Sequence, residues 1–144
     1  MRSESRHSVT GLTTTSELLD PLGDGDGLLL LRVSGDIDLV SADAVRAQVR
    51  RAVAEGCRGV VLDLGGVRFC DSSGVGMLIG VRRLLRSCAG ELRLVLPDAR
   101  DGGGCVEVHR VFNALGVRRL FAIHPDPASA VAAATAARAL GAAQ

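Results

Sequence analysis

Between residues 67 and 80 the chain reads VRFCDSSGVGMLIG. An apolar run stops at Cys70, Asp71, Ser72 and Ser73 follow, and Gly74 leads into a second apolar run. A carboxylate and two hydroxyls at such a junction have two uses. Asp and Ser side chains accept hydrogen bonds from the unpaired N–H groups that open a helix, and a hydroxyl left over is available to another protein. A second cluster, Asp36 and Asp38 in SGDIDLV, follows another apolar run. Asp20, Asp24 and Asp26 fall in the turn-rich DPLGDGDG, but the distal acidic ligand of an EF-hand loop is missing, so a hairpin connection is expected and not a calcium site. Gly102, Gly103 and Gly104 precede a helix pattern without the rest of a phosphate-cradle motif and read as a loop. Cys57, Cys70, Cys88 and Cys105 form no CxxC pair, and with His7, His109 and His124 they give no zinc spacing. No metal or cofactor is expected. The carboxylate next to Cys70 raises a thiol pKa, so an inert buried cysteine is expected there.

Composition narrows the chemistry. All 17 basic residues are arginine, which excludes a Walker-type phosphate lysine, a Schiff base and a lysine general base. A net charge of +1 gives no electrostatic case for nucleic acid or an anionic membrane. Phe69, Phe112 and Phe121 are the only aromatic residues, too few for a stacking platform on single strands or sugars. The N-terminal MRSESRHSVTG lacks an apolar signal core, and charges and glycines interrupt every apolar run short of a membrane span. A cytoplasmic protein with reduced thiols is the expectation.

The elements that must hold these residues follow from periodicity. Residues 1–10 are polar and predicted to be a flexible segment ahead of a single domain over 11–141. Residues 12–19 are Thr-rich and predict a short edge strand, and 28–33 a second strand. Ser41 reads as the N-cap of a helix with Val45, Val49, Ala52 and Val53 on one face, ended by Gly56. Residues 59–64 predict a buried strand, GGVRFCD a loop, and 72–87 a helix. A strand over 91–96, a helix over 105–115 closed by Gly116, a strand over 119–123 and an Ala-rich helix over 127–139 complete the order. Alternating strands and helices imply an α/β fold: a mixed, mostly parallel sheet of four to five strands with about four helices. In that arrangement both acidic clusters sit at the carboxyl ends of strands, where α/β proteins usually hold their function.

Three segments, SGDIDLVSADAV, VVLDLGGVRFCDSSGVGMLIGVRR and HRVFNALGVRRLF, together resemble the STAS family and, within it, bacterial anti-sigma factor antagonists. The resemblance covers roughly residues 12–140, with Asp-Ser-Ser-Gly-x-Gly its most specific part and Gly-Asp-Ile-Asp the second anchor. It implies a STAS-like fold and a binding protein, not an enzyme. The implied partner is an anti-sigma serine kinase, whose capture frees a sigma factor in transcription regulation of the stress-response type. Carried over by motif position, Ser72 would be the serine the kinase phosphorylates to break the complex, and a serine phosphatase would reverse this. Asp38, Asp71, Ser73 and Gly74 would form the surroundings of the switch. The glycine-rich run at 102–104 departs from the shorter loop usual in the family.

A phosphoserine brings about −1.5 to −2 charges at neutral pH. At a helix N-terminus the dipole and free N–H groups accommodate that charge, while Asp38, Asp71 and acids on a partner are repelled by it. On a helical wheel, Met77, Leu78, Val81, Leu84, Leu85 and Cys88 share the core side. Val75 and Ile79 fall elsewhere, beside Arg82, Arg83 and Arg86, so Val75, Ile79 and Arg83 are the candidate partner face. Two other readings exist. One is a STAS interaction module in another signalling or transporter complex. The other is a magnesium-dependent phosphatase, because Asp36-Ile-Asp38-Leu-Val40 mimics the nucleophile loop of haloacid-dehalogenase-type enzymes. That chemistry commonly recruits a lysine, which this chain lacks.

Overall fold

The computed structural model describes residues 3–9, 11–20, 23, 27–98 and 105–142. Asp24, Asp26 and the Gly102, Gly103, Gly104 run lie outside the described residues. Within them, β1 (Ser3–Val9), β2 (Leu12–Leu19) and β3 (Leu28–Ile37) form an antiparallel meander, and β4 (Gly59–Cys70), β5 (Glu91–Val95) and β6 (Ala122–His124) continue it in parallel. The strands form one six-stranded sheet in sequence order. The helices are α1 (Leu39–Ala54), α2 (Ser72–Ser87), α3 (Val106–Leu115) and α4 (Pro127–Ala142). The expected mixed, mostly parallel α/β sheet is present, one strand wider than expected.

The extra strand lies in the segment predicted to be flexible. β1 pairs with β2 along its whole length, and the Ser5 and Ser16 hydroxyls meet at 2.6 Å across the pair. A polar strand has no apolar alternation to reveal it, but its backbone groups still pair. Residues 12–19 are in consequence an inner strand and not the edge.

One face of the sheet is covered by α1, α2 and α3 over a core that includes Leu31, Val33, Ile37, Val45, Val49, Leu62, Leu64, Met77, Leu78, Leu85 and Phe112. α4 covers part of the other face, where Ala130 and Ala134 pack on Leu28, Leu30, Val61 and Val95. The sheet is thus buried on both sides around β3 and β4, which explains their nearly unbroken apolar runs.

β3 and β4 both run longer than predicted, and their extensions make the rim that carries the acidic clusters. Gly35 adopts φ +103°, a left-handed conformation that favours glycine. The Asp36 N–H then donates to the Gly11 carbonyl at 2.8 Å, and the register with β4 shifts at this point. On β4 the stretch read as a loop, GGVRFCD, is strand as far as Cys70. The glycines are there for close approach: a methyl on Gly66 would come within 2.9 Å of Ser34 Cβ. At the far edge, the strand predicted over 119–123 is a 3-10 turn, Arg118–Leu120, followed by β6. Phe121 leaves that turn to stack on Phe112 at 5.8 Å.

Candidate functional site

The last registered pair of β3 and β4 is Ile37 opposite Cys70. The next residues are Asp38 and Asp71, and each is the N-cap of the helix that follows. The two caps leave adjacent strands, which run about 4.8 Å apart. The Asp71 N–H donates to the Ile37 carbonyl at 3.3 Å, which ties the two turns together. Two helix N-termini therefore open side by side at the carboxyl rim of the sheet.

Asp71 accepts from the Ser73 N–H at 2.8 Å. It does the capping, so Ser72 as the first helical residue is left exposed while Ser73 is half-buried. The helix-start use and the free-hydroxyl use of the DSSG segment are both met, by different residues. Gly74 follows in the first turn and is buried. A methyl there would lie 2.5 Å from Cys70 Sγ and 2.9 Å from Ile37 Cγ2, so only glycine lets α2 start this close to the sheet.

On α1 the expected N-cap, Ser41, is replaced by Asp38. Asp38 Oδ1 accepts from the Ser41 N–H at 3.0 Å, and the Asp38 N–H donates back to Ser41 Oγ at 2.9 Å. This is a reciprocal capping box in which the serine stands at the third helical position. Ser41 is fully buried, and its hydroxyl also donates to the Asp36 carbonyl at 2.8 Å. The Ser41 N–H holds the Asp38 carboxyl below its ordinary range, against a smaller opposing effect of desolvation. Asp38 is thus a structural cap beside Ser72's helix, with its Oδ1 bonded to the Ser41 backbone N–H. Asp36 is half-exposed, with its carboxylate 4.0 Å from Arg68.

Burial pushes the Cys70 thiol up to about 11, with the Asp71 carboxylate adding to the effect, as the neighbouring charges in the sequence predict. Cys57 and Cys105 are also buried and also raised, in each case mainly by burial. Among the described residues no group of three His, Cys, Asp or Glu side chains could hold a metal ion, and no helix is long and apolar enough to cross a membrane.

The partner face needs a correction. Val75 is 3% exposed and belongs to the core, so it is not on offer to a partner. α1 lies alongside α2 and widens its buried arc beyond the core side marked by the wheel. Ile79 is half-buried against the core and Arg83 is exposed. The apolar groups that do face solvent at this end were not anticipated. Leu39 and Val40, the first two residues of α1, are 70% and 64% exposed, and Phe69, next to Cys70 on β4, is 45% exposed. For Leu39 and Val40 the signal was present in the sequence, as apolar residues at a helix start outside the periodic face, whereas Phe69 is on β4 in the stretch read as a loop.

A family model for the STAS domain matches residues 24–130. The chain belongs to the STAS family. It is 31% identical over 106 residues to the anti-sigma F factor antagonist of Paenibacillus polymyxa, covering 73% of this chain and 85% of that protein. Among solved structures, the STAS fold seen here is similar to an anti-sigma factor antagonist from Mycobacterium paratuberculosis, at 24% identity and TM-score 0.66, over 85% of this chain and 94% of that one. It is also similar to the anti-sigma factor antagonist SpoIIAA in its unphosphorylated form, at 22% identity and TM-score 0.61, over 81% and 92% of the two chains. The phosphorylated form of SpoIIAA aligns at 21% identity and TM-score 0.56, over 81% and 96%.

Proposed function

We propose that this STAS protein is an anti-sigma factor antagonist that binds an anti-sigma serine kinase, so freeing a sigma factor, and that phosphorylation of Ser72 ends the complex. A serine phosphatase acting on phospho-Ser72 restores it. The protein works in the cytoplasm as a binding module and not as an enzyme, and the domain extends over residues 11–141 with β1 as an added edge strand.

The observation that carries this reading is the division of labour in Asp71-Ser72: the acid caps α2 and the serine hydroxyl stays exposed at the helix start. The kinship supports it, since the Paenibacillus polymyxa relative, of similar length, bears the name of an anti-sigma F factor antagonist. The physics of the rim supports it too. A phosphate on Ser72 would meet the N-terminal dipoles of α2 and, alongside, α1, which stabilise it, so the fold survives. It would also face the Asp38 and Asp71 carboxylates and any partner acid, so the surface changes sharply. Leu39, Val40 and Phe69 supply the apolar contact area that a protein interface of this kind needs around the serine.

The test recovers the protein from its host with and without stress and combines phosphopeptide mass spectrometry with analysis of co-purified proteins. Phosphate on Ser72, and a kinase that accompanies only the unmodified form, are the expected results. A protein never modified at Ser72 and accompanied by an unrelated partner sinks the proposal.

A further inference from the structure

The two helices that start at the switch carry the chain's positive excess. α1 and α2 hold Arg46, Arg50, Arg51, Arg82, Arg83 and Arg86 against a single acid, Asp43, which Arg46 pairs. Counted with their caps Asp38, Glu55 and Asp71, the two helices carry six arginines against four acids, a charge of +2, while eleven arginines stand against twelve acids elsewhere. Arginines suit the last turn of a helix, and a solvated face needs charge, so the excess alone would have a local explanation.

Two features exceed it. First, α2 has no acidic residue, so Arg82, Arg83 and Arg86 lack the intrahelical partner that Arg46 has in Asp43 and Arg110 on α3 has in Glu107. Among the described residues Arg83 and Arg86 form no ion pair, and both are exposed. Second, the outward stripe of α2 runs Ser72, Gly76, Arg83 at helical spacing. A methyl on Gly76 would meet nothing within 4 Å, whereas Gly80 is half-buried and faces Arg46 of α1, whose Nε would lie 3.8 Å from a methyl there. Glycine weakens a helix interior relative to alanine, yet at Gly76 it leaves bare backbone between the serine and the arginines.

We infer that the outer face of α1 and α2 docks an acidic surface of the anti-sigma kinase, whose carboxylates meet Arg83 and Arg86 while its chain settles over Gly76. Arg50 on the neighbouring helix adds to the attracting field. This deepens the switch reading and rests on it. It also gives the switch its sign: the acidic partner that the arginines draw in is the one a phosphate on Ser72 repels, at the other end of the same stripe.

The experiment measures association of the Ser72 kinase with the full chain by stopped flow from about 50 mM to about 500 mM salt. It compares wild type, R83E/R86E, the neutral R83Q/R86Q, and R110E/R119E, which makes the same charge change at exposed positions on and just after α3. R83E/R86E is expected to slow association at low salt at least about tenfold and to flatten the salt dependence, with R83Q/R86Q between it and wild type. R110E/R119E is expected to stay within about twofold of wild type. Gly76→Leu, whose side chain enters open space, is expected to weaken the complex at least about tenfold without lowering the melting temperature. Equal rates and salt slopes for wild type and R83E/R86E would overturn the docking surface and leave the Ser72 switch standing. Failure of wild type to bind any kinase that modifies Ser72 would overturn the switch, and the docking surface with it.

Discussion

Gly74→Ala and Gly76→Ala make the same chemical change two residues apart on α2, and the environment gives them opposite signs. At Gly76 the added methyl meets nothing within 4 Å. The substitution then acts through helix propensity and backbone entropy alone and stabilises by about 0.5–1 kcal/mol. At Gly74 the methyl would lie 2.5 Å from Cys70 Sγ and 2.9 Å from Ile37 Cγ2. Contact distances between such atoms are about 3.5–4.0 Å, so roughly 1 Å must come from moving α2 or the two buried side chains. Overpacking of this size costs about 1–3 kcal/mol. The propensity gain is common to both variants and cancels in their comparison, which leaves Gly76→Ala more stable than Gly74→Ala by about 1–3 kcal/mol. Urea unfolding with unchanged m-values measures this directly. Cys70→Ala added to Gly74→Ala should recover part of the loss, since it removes the nearer of the two obstructing atoms. Equal stability of the two glycine variants would refute the claim that Gly74 sets how closely the switch helix approaches the sheet.

Other outcomes follow from the same rim. The Asp38 carboxyl is lowered by its bond from the Ser41 backbone, so its stabilising effect is complete above the ordinary value of 3.8 and disappears as pH falls through the lowered one. The stability gap between wild type and Asp38→Ala, followed by urea unfolding against pH, should therefore be full at neutral pH and close in acid. Ser72→Glu should leave unfolding stability within about 0.5 kcal/mol of wild type, because Ser72 is exposed and an acid suits a helix N-terminus. Iodoacetamide should label Cys88 first in the native protein, while buried Cys57, Cys70 and Cys105 react only after unfolding; mass spectrometry of the labelled peptides reports the order.

The sequence showed α2, expected from about 72 to 87, because Asp71 supplies a cap and the apolar positions recur at helical spacing. It also placed both acidic clusters at the carboxyl ends of strands. What it hid depended on tertiary partners. Gly65 and Gly66 look like chain breakers, yet they are strand residues pressed against Pro97 and Ser34. β1 is polar except for Val9 and becomes visible only through β2, which borders it. Ser41 has the right chemistry for a cap but serves as the third residue of the box, since Asp38 is at the end of the strand and takes the capping position first. Val75 belonged to the core because a helical wheel knows nothing of a second helix at its side.

In the proposed switch, the state of Ser72 decides whether a kinase is held. The direct measurement loads the kinase with its sigma factor and adds this protein unmodified, phosphorylated at Ser72, or as Ser72→Ala. The unmodified protein and Ser72→Ala should release the sigma factor, the latter persistently in ATP, and the phosphorylated form should release none. Equal release by the phosphorylated and unmodified proteins, or release by neither, would contradict the switch.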